Sequence, residues 1–248
     1  MTGSLVVVGT GPGKAELMTP ATSAALARAS DLVGYGPYLD RIAVRPGQHR
    51  HASDNRVELD RARHALALAA SGRQVAVVSG GDPGVFAMAA AVFEAVEAGE
   101  PAWRTLDIRV EPGVTAMLAA AAEVGAPLGG DFCAISLSDN LKAWTTIERR
   151  LSAAAEADFV IALYNPASRA RPRQLGEALD LLRAIKKAGT PVLFIRAAGT
   201  SEARVVSTTL GAADASIADM RTLVIVGSST TRQVGRWIYT PRGERSAP

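Results

Sequence analysis

The sequence predicts an α/β fold made of two α/β domains. Three observations carry that prediction. Short apolar, β-branched runs alternate with longer segments of helical period. Runs and helices meet at glycine-rich junctions, the clearest being Ser79-Gly80-Gly81-Asp82-Pro83-Gly84. The alternation pauses at Gly125-Ala126-Pro127-Leu128-Gly129-Gly130 and then restarts. Residues 1–125 therefore read as an N-terminal domain, 126–130 as a linker and 131–248 as a C-terminal domain.

In the first half, Leu5-Val6-Val7-Val8 is a predicted strand that runs into Gly9-Thr10-Gly11-Pro12-Gly13. This loop fails the dinucleotide fingerprint, because Lys14 stands where the third glycine belongs. It fails the phosphate-loop pattern as well, since Ala15 follows Lys14 and Pro12 removes a backbone donor. The loop approaches something closely, but a pyrophosphate is a poor fit. Thr19-Pro20 opens a helix to Ala29. Leu32-Val33 is a short strand ending in Gly34-Tyr35-Gly36-Pro37-Tyr38. Residues 45–56 read as a polar loop carrying His49, Arg50, His51, Asp54, Asn55 and Arg56. Ser53 or Asp54 stands where a cap for the next helix belongs; Leu59, Ala62, Leu66 and Ala69 form its apolar stripe, and Gly72 stops it.

Gln74–Val78 is the buried strand before the central junction. There Asp82 suits a helix N-cap, Pro83 the first helical position and Gly99 the stop, for a helix from Val85 to Ala98. Two glycines in that turn admit a ligand to the backbone, although an ordinary strand-to-helix turn reads the same way. Leu106–Val110 is the next strand, and Glu111-Pro112-Gly113-Val114-Thr115-Ala116 leads into a helix ending near Val124. Thr115 either caps that helix or offers its hydroxyl to a ligand.

In the second half, strands are predicted at Phe132–Leu137, Phe159–Leu163, Val192–Arg196, Ala203–Thr208 and Thr222–Val226. A helix follows from Trp144 to Ala157. Another opens at Pro172 with Leu175, Leu179, Leu182 and Ile185 on one face. The tail from Arg242 reads as disordered.

Composition narrows the chemistry. The 248 residues are 48% hydrophobic and carry a net charge of +3, too even a balance for a nucleic-acid footprint. Only four of the 27 cations are lysines, and arginine grips carboxylates and phosphates bidentately. Genome bias accounts for the same excess. The single cysteine, Cys133, excludes intrachain disulfides and sits in an apolar run as a core residue. His49 and His51 lie in a loop with no third ligand nearby, and His64 falls outside their spacing, so no metal site is expected. No signal pattern and no membrane-length apolar run occur, which predicts a soluble, cytoplasmic protein with no membrane partner.

Taken together in this order and spacing, the junctions at Gly9–Gly13, Ser79–Gly84 and Pro112–Ala116 resemble the tetrapyrrole methylases, which use S-adenosylmethionine on cobalamin and sirohaem precursors. The resemblance runs from Leu5 to about Gly235. Gly34–Tyr38, Gly125–Leu128, Asp131–Lys142 and Tyr164–Arg169 are most similar to the branch that methylates a corrin precursor at carbon 17 and contracts its ring. The resemblance implies a homodimer whose two α/β domains enclose a cofactor cleft, with S-adenosylhomocysteine as product. It implies that the cofactor meets Pro12, Gly80, Gly81, Asp82, Val85, Thr115, Ala116, Asn165 and Gly199, largely through backbone. Sirohaem-branch relatives carry an acid just after the tyrosine of the second strand; here that place is Gly36, so no base carries over from that branch.

The implied reaction is in-line attack of a substrate carbon on a sulfonium methyl, which requires positioning rather than a covalent enzyme intermediate. Ring contraction needs a proton removed from a hydroxyl. His49, His51 and Asp54 are the candidates for that acid–base work. Arg50, Arg56, Asp139, Asn140 and Arg169 are candidates for holding the carboxylates or amides of a polycarboxylate tetrapyrrole. Capping or solvation explains each of these residues equally well. Another methyltransferase of the superfamily, or a non-catalytic nucleotide-binding module, is the alternative reading.

Overall fold

The apolar run at Leu5–Val8 becomes β1, Ser4–Gly9, in the middle of a parallel sheet. A computed structural model describes residues 3–54 and 57–243. The predicted substrate contact at Arg56 and the tail beyond Gly243 lie outside the described residues. The chain forms two compact units, Met1–Ala116 and Met117–Pro248.

After β1 the first unit runs through α1 (Pro20–Arg28), β2 (Asp31–Tyr35), α2 (Gly36–Leu39), β3 (His49–Ser53), α3 (Glu58–Ala70), β4 (Gln74–Ser79), α4 (Met88–Ala98) and β5 (Asp107–Glu111). Its sheet has the order β3-β2-β4-β1-β5, with every neighbouring pair parallel. Strand alternation sends Leu5, Val7, Val75 and Val77 to one face, against Ala62, Leu66 and Val92 of α3 and α4. Val8, Leu32, Ala76 and Val78 point to the other, against Ala25 and Leu26 of α1. Covering both faces is why the central strands are near-continuous apolar runs. All five strands end at one sheet edge, and the glycine junctions follow β1, β4 and β5 there.

Three local expectations are corrected in this unit. Residues 49–53 are not loop but β3, paired in parallel with β2 from Asp31↔His49 to Tyr35↔Ser53. An edge strand with half-exposed faces has no apolar alternation to betray it. Ser53 and Asp54 do not cap α3, whose N-cap is Val57 without a side-chain bond. Asp82 does not cap α4: residues 83–87 form turns first, and the N-cap is Ala87. The Thr19 cap on α1, which accepts from the Thr22 amide at 3.1 Å, is as expected.

The second unit holds α5 (Ala116–Val124, all but its first residue), β6 (Gly125–Ala126), β7 (Phe132–Ser136), α6 (Trp144–Glu156), β8 (Val160–Tyr164), α7 (Gln174–Ile185), β9 (Pro191–Arg196), β10 (Arg204–Thr209), β11 (Thr222–Val226), β12 (Arg232–Val234) and β13 (Trp237–Tyr239). Its main sheet has the order β10-β9-β11-β8-β7, parallel only between β7 and β8. Leu175, Leu179 and Leu182 of α7, with Ile147 and Leu151 of α6, pack on Ile161, Leu163, Phe194 and Val224.

The sequence assigns α5 to the first domain and 126–130 to a linker; the structure differs on both. The Met117 amide donates to the Tyr164 hydroxyl at 3.0 Å and Glu123 accepts from the Gly199 amide at 3.2 Å, tying α5 to the second unit. Gly125–Ala126 is a strand paired with Ile238–Tyr239, and the Thr240 hydroxyl donates to the Pro127 carbonyl at 2.6 Å. The glycine-rich stretch is held by the far end of the chain.

Candidate active site

The three glycine junctions of the first unit touch one another. The Gly81 amide donates to the Gly11 carbonyl at 2.8 Å, and the Gly11 amide returns a bond to the Gly81 carbonyl at 3.2 Å. Gly81 has φ +64°, a left-handed conformation that side chains resist. Gly113 lies so close that a Cβ there would meet the Gly81 carbonyl oxygen at 2.2 Å. The buried Thr10 hydroxyl donates to the Ser79 carbonyl at 2.9 Å, and the Thr22 hydroxyl to the Gly9 carbonyl at 3.1 Å, so α1 and β4 brace the first loop.

Asp82 completes the assembly. One carboxylate oxygen accepts the Gly113 amide at 3.0 Å, and the other accepts the Gly84 amide at 2.8 Å. It joins the second junction to the third, as a backbone clamp rather than a helix cap. The Tyr38 ring covers Gly80, where a Cβ would lie 2.7 Å from the ring. Val85 follows in the turn, its amide donating to the Asp82 carbonyl at 3.3 Å. Thr115 is buried at the start of α5 beside Ala116. Pro12, Gly80, Gly81, Asp82, Val85, Thr115 and Ala116 thus all lie in, or directly follow, the loops at one sheet edge, within the glycine-built cradle that a ligand read through backbone amides and carbonyls requires.

At the same edge a cavity of about 220 Å³ opens at the ends of β2 and β3, lined by Tyr35, Gly36, Pro37, Ala52, Ser53 and Asp54. Asp54 therefore stands at the same end of the sheet as the junctions. His49 and His51 do not. His49 pairs with Asp31 at the opposite ends of the strands. His51 turns back the same way: its Nε2 is 2.9 Å from buried Asp31 and its Nδ1 is 3.0 Å from His64 Nε2. His64, which sequence spacing sets apart from the pair, is a direct neighbour of His51. Asp31 also accepts Arg73 at 2.7 and 3.2 Å and Ser30 at 2.7 Å. Burial raises the Asp31 pKa, but these hydrogen bonds, with that from His51, outweigh it and hold the carboxyl well below the ordinary range. Arg50 donates to the Ile42 carbonyl and lies 3.9 Å from Asp40. Among the described residues no three His, Cys, Asp or Glu side chains gather as a metal site.

In the second unit Asn165 follows β8 with φ +53° and donates to the Ser136 hydroxyl at 2.9 Å. Its carbonyl accepts buried Arg171 at 3.1 Å. Asp139 accepts Gln174 at 3.0 Å, while Asn140 and Arg169 are exposed. Gly199 follows β9 with φ +71°. Sequence reading misses Tyr38, Arg61, Glu123 and Arg171. Arg61 and Arg171 are the harder cases, because a charged residue reads as solvated unless its burial is seen.

Glycine loops meeting at the carboxyl ends of parallel strands define the class: an open α/β fold, in which that edge is the usual place for a ligand. The chain belongs to the tetrapyrrole (corrin/porphyrin) methylases, whose family model matches residues 4–214. It is 61% identical to a Sinorhizobium precorrin-3B C(17)-methyltransferase, over 98% of this chain and 97% of that one. The crystal structure of the methyltransferase CobJ superposes with a TM-score of 0.94 at 56% identity, covering 96% of this chain and all of that one. Uroporphyrin-III C-methyl transferase from Thermus thermophilus, complexed with S-adenyl homocysteine, shares the fold, with a TM-score of 0.68 at 22% identity over 91% of this chain and 97% of that one.

Proposed function

We propose that this chain is an S-adenosylmethionine-dependent C-methyltransferase of cobalamin biosynthesis, methylating precorrin-3B at carbon 17 with ring contraction to precorrin-4. The near-full-length identity to a methyltransferase of that specificity carries the reading, and the backbone cradle agrees with it. When bound, S-adenosylmethionine supplies an electrophilic methyl on a sulfonium. The chain's own part is to hold two reactants in line and exclude water. Pro12, Gly80, Gly81, Asp82, Val85, Thr115 and Ala116 form the first unit's share of cofactor contacts. The resemblance adds Asn165 and Gly199 of the second unit, and loss of S-adenosylhomocysteine affinity in Asn165→Ala tests that addition.

Asp54 is the acid–base group in this reading, chosen over His49 and His51 because it lines the cavity at the junction edge. Arg50, Asp139, Asn140 and Arg169 are the carboxylate and amide contacts for the polycarboxylate macrocycle, and a cytoplasmic homodimer is the working form. The test is incubation with precorrin-3B and methyl-labelled S-adenosylmethionine. Label at carbon 17 of a contracted ring is expected. Label on another ring carbon, or cofactor binding without transfer, overturns the assignment in favour of a different corrin methylase or a binding module.

A further inference from the structure

Arg61 stands out among the charged groups of the first unit. Its residue is 5% exposed, yet among the described residues no carboxylate lies within ion-pair distance. Burying a guanidinium without a counter-charge is costly, and an apolar side chain on α3 would pack there at less expense. Its donors instead go to three acceptors. Nε donates to the Ser53 hydroxyl at 2.8 Å, Nη2 to the Asp54 carbonyl at 2.6 Å, and Nη1 to the Met88 sulfur at 3.4 Å. Ser53 and Asp54 are wall residues of the cavity at the ends of β2 and β3, and Met88 begins α4 after the turns at 83–87 that lead out of the central glycine junction. One planar fork thus spans from the cavity wall to the helix that follows the cofactor loop. Burial pushes the guanidinium pKa down, with Glu58, Tyr38 and Tyr35 opposing that shift.

We infer that Arg61 is a positioning residue for the reaction. It fixes the Ser53 hydroxyl and the Asp54 backbone carbonyl, and so the direction of the Asp54 carboxylate, relative to α4. It does not line the cavity, so it acts through Asp54 rather than on substrate. The inference rests on the reading of Asp54 as the acid–base group. An edge strand has a hydrogen-bonded neighbour on one side only, so its last residues need another anchor if a reacting group is to be held accurately.

The test is a set of variants in the full chain: Arg61→Lys, Arg61→Met, Asp54→Asn and Asp54→Asn with Arg61→Met. Each is assayed for kcat, KM and S-adenosylhomocysteine affinity. Both Arg61 variants should lose about tenfold or more in kcat, since a small misplacement of a reacting group suffices for that. Cofactor affinity should stay within about twofold, and the double variant should be no slower than Asp54→Asn alone. If Arg61→Met fails to fold, Arg61→Lys decides, because it keeps the charge and loses the fork. Wild-type kcat in a folded Arg61 variant, with Asp54→Asn impaired, overturns the inference and leaves the reading of Asp54 standing. Wild-type kcat in Asp54→Asn overturns that reading, and the inference with it. Additive losses in the double variant mean that Arg61 does not act through Asp54, which also refutes it.

Discussion

The Asp82 carboxylate accepts the Gly113 amide at 3.0 Å, linking two loops that lie 31 residues apart in the chain. Its other oxygen holds the Gly84 amide, so one side chain sets the path of the central junction and its distance from the third. Asp82→Ala removes both acceptors. Hydrogen bonds to a charged group of this kind predict a loss of about 1–3 kcal/mol in unfolding free energy. S-adenosylhomocysteine affinity should fall with it. Asp82→Asn keeps one acceptor and should lie between. Denaturant unfolding and calorimetry read the two effects, and a fully stable Asp82→Ala protein with normal affinity would contradict the clamp.

Two glycines at this edge differ in what they tolerate. At Gly81 a Cβ meets nothing nearer than 3.7 Å, but φ is +64°. Gly81→Ala should therefore fold with a conformational cost of about 1–2 kcal/mol while cofactor binding weakens. Gly81→Val should abolish binding. At Gly113 the Cβ would clash with backbone at 2.2 Å, so Gly113→Ala should yield little folded protein. Gly36→Ala, with nothing within 4 Å of its Cβ, is the control and should leave stability unchanged. Equal melting temperatures for Gly113→Ala and Gly36→Ala would refute the close approach.

Asp31 makes the first unit's stability depend on pH. Its folded pKa lies below the unfolded carboxylate value of about 3.9, so the unfolded chain binds the proton more readily. The contribution is present in full above that value and is lost as pH falls toward the depressed folded pKa. Asp31→Asn should cost about 2–3 kcal/mol at neutral pH, with the gap to wild type shrinking from about pH 5 downward. His51→Ala removes one of the Asp31 partners and should lower the melting temperature with kcat and cofactor affinity unchanged. A loss of kcat without a loss of stability would return His51 to the acid–base role.

In the second unit Lys186 is buried and bonds Asp158 at 2.9 Å, and Asp158 also accepts the Ser229 amide and hydroxyl. Asp158→Ala strands the ammonium. The loss should be about 2 kcal/mol, below the 3–5 of a fully buried pair because the Asp158 carboxylate is partly solvated. Lys186→Met, which removes the charge and keeps the packing, should cost less. Chemical denaturation of the two variants checks the order, and the reverse order would sink the argument.

Elements whose signals are local were legible in the chain before any tertiary contact was known. A buried strand such as Gln74–Ser79 carries its own apolar run, and Thr19-Pro20 marks the start of α1 because capping needs only neighbouring residues. The ordered glycine junctions also marked the edge where three loops meet, since their close backbone approach can be met only by residues without a Cβ. Tertiary structure decided what depends on distant partners. His49–Ser53 became a strand because β2 offered it an edge, and Gly125–Ala126 became one because Ile238 and Tyr239 lie beside it. Asp82 left its cap position for an amide 31 residues away. His51 faced Asp31 and His64 instead of the junction edge, and Arg61 was buried although nothing in its local sequence marks it. A polar side chain has several acceptable partners of similar energy, and only the folded arrangement brings one of them within reach.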